Sequence, residues 1–240
     1  MRRLTRLLAV LAIPLSPGCM PAEQGASATG GDKPPAFEIV EQSPRALVVD
    51  AAGARVTIAP PEGVCIETSA LRDEHASLFL ALAECPEVKQ TGMVATLSVG
   101  AQPMFGKNRG AAMDELAAFL DTPAGRKGAG MSGDPDKVKI LATRRADDTL
   151  YVLVEDNGAR TPDAFGPRFW RAFTDIKGRA VIASLGIAGK KKTRDSDVLL
   201  QLSRIVTAVQ RANGEDGAAA ESSPEPASKP APPKKPAPAV

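Results

Sequence analysis

Histidine occurs once in this chain, as His75, and that scarcity removes much chemistry before any motif is sought. A serine or cysteine nucleophile activated by imidazole would have to use this residue, and no Gly-x-Ser-x-Gly turn accompanies it. Cysteine is nearly as rare, with Cys19, Cys65 and Cys85, and no Cys-x-x-Cys is present for redox catalysis. With two of these three oxidised, none of the usual zinc ligand sets assembles. The longest apolar run near the start, residues 7–15, is too short to cross a bilayer core, which needs roughly 20 residues. Strong charge of either sign is also missing: the net charge of +2 creates no global field that recruits nucleic acid. No metal or cofactor is expected, and no catalytic constellation is legible.

What is present at the N-terminus points to export. Arg2, Arg3 and Arg6 precede the apolar run, and Ser16-Pro17-Gly18-Cys19 follows it. A basic segment, a short apolar segment and small residues at a boundary make a secretory signal over residues 1–18. Leu15-Ser16-Pro17-Gly18-Cys19 resembles the lipobox of bacterial lipoprotein precursors, with Ser16 where that family usually has Leu and an unusual Pro17. The resemblance implies cleavage before Cys19 and acylation of Cys19. It also implies an outer rather than inner membrane, because Met20 is not the aspartate associated with inner-membrane retention. Ordinary cleavage after Ala26-Ser27-Ala28 is the rival, although it lies far from the apolar segment. If Cys19 carries lipid, Cys65 and Cys85 remain as a disulfide pair in a compartment where disulfides persist, with buried free thiols as the alternative.

Proline and glycine supply 42 of the 240 residues and concentrate at the two ends. Residues 19–36 read as a flexible, lipidated tether. Residues 214–240, rich in Pro, Ala and Lys, read as a disordered tail favouring extended polyproline II. Between them, residues 37–213 carry an α+β domain. Short β-branched runs at 37–41, 46–50 and 55–59, separated by Ser43-Pro44 and Ala52-Gly53, predict antiparallel strands with tight turns. Residues 68–75 suit a helical turn capped by Thr68 or Ser69, and 78–82 reads as a strand or as its extension. Further strands are expected at 93–99, 137–142, 150–154 and 179–186, with Asp147-Asp148 in a turn. Helices are expected at 111–120, with Met113, Leu116 and Leu120 on one stripe, at 163–174, and at 196–212. The last shows a stripe of Leu199, Leu202, Val206 and Val209, with Ser196 as its cap and Asn213-Gly214 as its end.

This order of elements resembles the PsbP/DcrB-like α-β-α sandwich, carried by Pro61-Glu62-Gly63, the 111–120 helix, the 150–154 strand and the strand-helix ending at Asn213. Cys65 to Cys85, and Phe169-Trp170-Arg171-Ala172 through Gly178-Arg179, resemble uncharacterised exported proteins of Gram-negative bacteria. The resemblances imply a mainly antiparallel sheet flanked by helices, acting as an accessory or binding module rather than an enzyme.

Two phosphate-binding spellings fail on context. Gly128-Ala129-Gly130-Met131-Ser132-Gly133 matches G-x-G-x-x-G, yet a helix precedes it and Asp134-Pro135 plus a strand follow, so it reads as a loop. Gly189-Lys190-Lys191-Lys192-Thr193 follows a strand, but Ser184 and Lys191 stand where a P-loop needs Gly and Ser or Thr. Residues 137–213 hold 15 Lys and Arg against 8 Asp and Glu, so Lys190, Lys191 and Lys192 are candidates for an anion or headgroup contact. The carboxylates Asp147-Asp148 and Glu155-Asp156 are adjacent pairs, and strand neighbours point to opposite faces, so they read as surface solubility rather than acid-base chemistry. Four of nine aromatics fall within residues 165–173, where Phe165, Phe169 and Phe173 recur every four residues as a helical core stripe. Trp170, off that stripe between Arg168 and Arg171, is a candidate partner contact if exposed. The sequence thus predicts a membrane-tethered, periplasm-facing module whose partner is an envelope protein, peptidoglycan or anionic lipid. An exported hydrolase and a lipid- or glycan-binding domain are the alternatives.

Overall fold

The computed structural model describes residues 36–74, 76–88, 91–158, 166–187 and 193–215. The signal, the tether up to residue 35, Cys19, His75, Phe165, Lys190 to Lys192 and all but the first two residues of the tail lie outside them. Ten strands and three helices are described: β1 (Phe37–Gln42), β2 (Leu47–Ala51), β3 (Ala54–Ile58), β4 (Val64–Asp73), β5 (Ser77–Glu84), β6 (Met93–Gly100), α1 (Arg109–Leu120), α2 (Pro123–Ala129), β7 (Val138–Ala146), β8 (Thr149–Asp156), β9 (Arg168–Ile176), β10 (Arg179–Ile187) and α3 (Asp195–Ala212). Among them, no helix is long and apolar enough to cross a membrane.

The strands form a three-stranded sheet, β1-β2-β3, and a seven-stranded sheet in the order β4-β5-β6-β10-β9-β8-β7. Every pairing is antiparallel. The class is therefore α+β, a mainly antiparallel sheet flanked by helices.

Period-two alternation sorts the central strands between two cores. Met93, Ala95, Leu97 and Val99 of β6, and Val181, Ala183 and Leu185 of β10, face the first core. The small sheet supplies Leu47, Val49, Val56 and Ile58 to that core, and α3 supplies Val198, Leu202, Ile205, Val206 and Val209. On the other face, Val152 and Val154 of β8 and Phe169 and Phe173 of β9 pack with Met113 and Leu120 of α1 and with Phe105. Both faces of the large sheet are covered, which is why its central strands are apolar on both sides.

Three expectations are corrected. Residues 68–73 are not a helical turn but the second half of β4, with a bulge between Glu67 and Arg72 in its pairing with β5. Residues 168–174 are not helical but belong to β9, because a four-residue spacing is even and also puts Phe169 and Phe173 on one face of a strand. Ser196 is not the cap of α3: Arg194 holds that position without a side-chain hydrogen bond, and Asp195 and Asp197 in the first turn face the positive end of the helix. The α1 stripe holds, with Met113 and Leu120 buried and Leu116 packed partly buried against the second core, while Phe119 is exposed.

The end of α3 matches expectation and does further work. Gly214 takes φ +69°, the left-handed region that ends many helices. Asn213 is buried; its Nδ2 donates to Val209 O and Thr57 O at 2.7 Å, and its Oδ1 accepts from Thr57 N at 3.0 Å. The side-chain amide thus stands in for a strand neighbour along β3. At the opposite end of the small sheet, Arg179 Nε donates to Ala51 O at 2.6 Å and its Nη2 to Ala52 O at 2.7 Å. These two side chains tie the small sheet to α3 and β10.

Cys65 and Cys85 form a disulfide with Cα atoms 5.0 Å apart, joining β4 to the residue after β5. Since β4 is an edge strand, the bridge restrains the sheet where only one neighbour holds it. Replacing Cys65 by Ser is expected to lower unfolding free energy by about 2–4 kcal/mol. Thermal melts with and without reductant check this: reductant should shift the parent protein and leave the variant unchanged.

Candidate functional site

Trp170, Arg168 and Arg171 sit on one strand, and alternation sends them to different places. Trp170 is only 3% exposed, and its indole Nε1–H donates to Asp195 O at 2.8 Å, fixing the start of α3. The expected exposed aromatic contact is therefore corrected: the ring is wall, not tip. Arg168 is exposed and donates from Nε to Glu155 Oε1 at 2.9 Å across the β8–β9 pair.

Arg171 points to the opposite face, under α2, and is not a surface contact either. Its Nε donates to Ser184 Oγ at 2.9 Å and its Nη1 to Gly128 O at 3.0 Å, with the guanidinium carbon 5.5 Å from the Phe169 ring centroid. It satisfies a carbonyl in the last turn of α2 that the helix itself leaves open. Burial pulls its guanidinium down to about 10, opposed by the Asp156 carboxylate, so it stays charged at neutral pH.

Asp156 is also buried, against the expectation that it serves surface solubility. Its Oδ2 accepts from Met131 N at 2.7 Å and Ser132 N at 2.8 Å, and its Oδ1 from Gly158 N at 2.9 Å. Burial raises its carboxyl, but hydrogen bonds from Ser132, Gly158 and Met131 outweigh that and hold it below its ordinary value. The glycine-rich loop after α2 is thus an anion nest, as its spelling suggests, and the anion is the chain's own carboxylate. A Cβ at Gly130 would lie 2.3 Å from Val138 Cγ2 and 2.9 Å from Asp156 Oδ2, so only glycine lets the loop close. The loop reading is correct, and the nest is filled from within.

Two other carboxylates do similar work. Asp175 accepts from Met104 N at 2.7 Å and Phe105 N at 2.8 Å, and Glu84 accepts from Thr91 N at 2.6 Å and Gly92 N at 3.0 Å. None of the three was legible as structural, since an acidic residue at a strand end looks alike whether water or backbone N–H groups solvate it. Among the described residues, no three His, Cys, Asp or Glu side chains gather into a metal-binding group.

The concavity suited to a ligand lies beside Trp170. A groove of about 600 Å³ runs between α3 and the part of the sheet face that α3 leaves bare. Tyr151 and Leu153 of β8 and Trp170 of β9 form its floor, Leu199 and Leu200 of α3 its wall. Burial pushes the Tyr151 phenol up to about 12, against an opposing hydrogen bond with Thr149, so the floor is uncharged. On the rim of β7 stand Arg144 and Arg145. Arg145 is ion-paired with Asp114 of α1. Arg144 has no hydrogen-bond or ion-pair partner among the described residues. At the other end Asp195 lies beside Trp170. A second hollow of about 420 Å³, lined by Glu62, Glu84, Met93 and Asp197, lies at the β4–β5 end of the sheet; Glu84 is committed to its own loop there.

No protein-family model matches the chain, and no curated protein does. Among solved structures it is similar to a mutant of Protein Mog1, at 13% identity over 75% of this chain and 92% of that one, with a TM-score of 0.33. It is also similar to the Saccharomyces cerevisiae Ran-binding protein Mog1p, at 13% identity over 68% and 87% of the two chains, with a TM-score of 0.33. Nothing about function transfers at that level.

Asp156→Asn is expected to cost about 1–3 kcal/mol at neutral pH, because a charge-assisted acceptor of three backbone N–H groups becomes a weaker one. The folded carboxyl lies below its ordinary value near 3.8, so its stabilisation is present above that value and lost as pH falls through the folded value. Urea unfolding at pH 7 and at pH 3 checks both parts: the variant should trail the parent at pH 7 and approach it in acid. Trp170 emission should also be blue-shifted and shielded from acrylamide.

Proposed function

We propose that this chain is an exported envelope lipoprotein, anchored through acylated Cys19 on the periplasmic side of a membrane, the outer one favoured by Met20. Its domain works as a binding or accessory module rather than an enzyme. The observation carrying the export half is the Cys65–Cys85 disulfide, since such bridges persist in oxidising compartments and are rare in reducing ones. The N-terminal pattern of Arg2, Arg3 and Arg6, a short apolar run and a small-residue boundary at Cys19 agrees with it.

The binding half is supported by the groove beside Trp170, whose uncharged floor and few polar groups are what ligand sites are built from. The buried positions of Trp170 and Arg171 move the recognition surface from the aromatic cluster itself to the groove that Trp170 walls. The polar groups along the groove are largely engaged: Ser203 Oγ donates to Leu200 O at 2.9 Å, and Trp170 Nε1 to Asp195 O. Groups so engaged favour an apolar guest, which supports a lipid-binding domain as the second reading over an exported hydrolase. An envelope protein and peptidoglycan are the remaining candidate partners.

Fractionation of cells and intact mass of the purified protein test the export reading together. The expected result is membrane-associated protein that begins at Cys19, carries acyl mass and gains two hydrogens on reduction. Cys19→Ala should release it from the membrane. Recovery from the cytosol with Met1 and the leader attached would overturn the reading.

A further inference from the structure

The charged groups along the groove are unevenly placed. Arg144 stands on β7 opposite Tyr151, two residues along from the Ala142–Leu153 pair, while Trp170 sits beside Leu153. The start of α3 is at the Trp170 end, where Asp195 O takes the indole proton, and its last turns lie at the other end, where Gln210 Nε2 reaches Thr149 Oγ1 at 3.4 Å. Asp195 therefore marks one end of the groove and Arg144 lies toward the other. Between them are Tyr151, Leu153, Leu199 and Leu200.

A guest suited to this surface has a hydrocarbon body and one negative group. The body meets apolar walls, and the Ser203 hydroxyl and Trp170 indole N–H beside them donate to the chain's own carbonyls. An extended peptide would bring backbone N–H and C=O groups into the same space and need partners for them. For the negative group, the rim offers one cation without a partner among the described residues. Arg145 is paired with Asp114, Arg168 at the Asp195 end is paired with Glu155 at 2.9 Å and with Asp195 at 4.0 Å, and Arg144 on the groove rim has no hydrogen-bond or ion-pair partner among the described residues. The volume of about 600 Å³ lies within the range of small-molecule sites.

We propose that the groove between α3 and the β7–β8 face binds a single-chain anionic amphiphile, with its acyl chain along Tyr151, Leu153, Trp170 and Leu199 and its carboxylate or phosphate head on Arg144. The inference rests on the reading of this groove as the binding surface and names its ligand; it does not depend on export.

Trp170 is the chain's one tryptophan and walls the groove, so its emission reports occupancy. The full chain is titrated below micelle concentrations with laurate, dodecyl phosphate, dodecyl maltoside and dodecyltrimethylammonium. Saturable changes with laurate and dodecyl phosphate, and weaker binding of the other two, are expected. Arg144→Gln should weaken laurate at least about tenfold, as for the loss of one charge-assisted hydrogen bond, and leave the maltoside within about twofold. Leu200→Asp, at a side chain 51% exposed, should weaken every amphiphile, with unfolding midpoints of both variants unchanged as the control for folding. Absence of any saturable signal, equal loss of laurate and maltoside in Arg144→Gln, or tighter binding of an acidic peptide than of laurate would each overturn the proposal. Cytosolic recovery of the chain would sink the export reading and leave this titration as it stands.

Discussion

Everything else in the fold depends on the seven-stranded sheet being buried on both faces. A sheet covered on one side needs apolar residues at alternate positions; one covered on both needs them at nearly every position of its centre. β8 is the clearest case: Tyr151 and Leu153 enter one core while Leu150, Val152 and Val154 enter the other. The chain must then supply two covers. α3 and the small sheet make one, α1, α2 and the 104–105 segment the other. Covers made of short pieces leave backbone polar groups near the core, and those groups must be satisfied.

Buried ions are used for that purpose. Asp156, Asp175 and Arg171 each bond backbone groups of a covering segment, and all lie on the face under α1 and α2. Breaking one such contact leaves a buried charge without its partners, which costs more than the contact contributes. The first core relies on Asn213 on β3 and the Trp170 indole on the start of α3, with one cation, Arg179, bonding the Ala51 and Ala52 carbonyls at its edge. Both buried carboxylates, Asp156 and Asp175, lie on the opposite face from the groove, and Arg144, without a partner among the described residues, sits on the groove rim.

Much of this was legible in the sequence where one period dominates. β1 to β3, β6, β8, β10 and α3 fall where alternation or a 3.6-residue stripe places them, and the turn at Asp147-Asp148 is real, Asp147 taking φ +50°. The misreadings have a common cause. Phe169 and Phe173 are four apart, a spacing shared by a helix face and a strand face, and the decisive evidence is Trp170 and Ala172 between them, which fill a second core that the local pattern does not reveal. Thr68 and Ser69 look like helix caps because their side chains bond backbone locally, yet β5 offers the segment a partner and the sheet wins. Long-range partners cannot be read from a window of ten residues. The groove was invisible for the same reason: Arg144, Tyr151, Trp170 and Leu199 come from four elements and meet only through the sheet order β9-β8-β7.

That sheet order also decides why a groove exists there at all. α3 crosses β9 and β10, and the small sheet helps to cover the β4–β6 side, so β7 and the outer half of β8 on that face have no dedicated cover. Such a strip normally carries polar residues. Here Tyr151 and Leu153 stay below 10% exposed because the flank of α3 and the β7 side chains overhang them, leaving a slot rather than a flat patch. An apolar slot of this kind offers water few partners, so a hydrocarbon chain entering it displaces water that had little to lose. Charge at the rim would then select which hydrocarbon chain stays, since Arg144 spends none of its donors on other described residues.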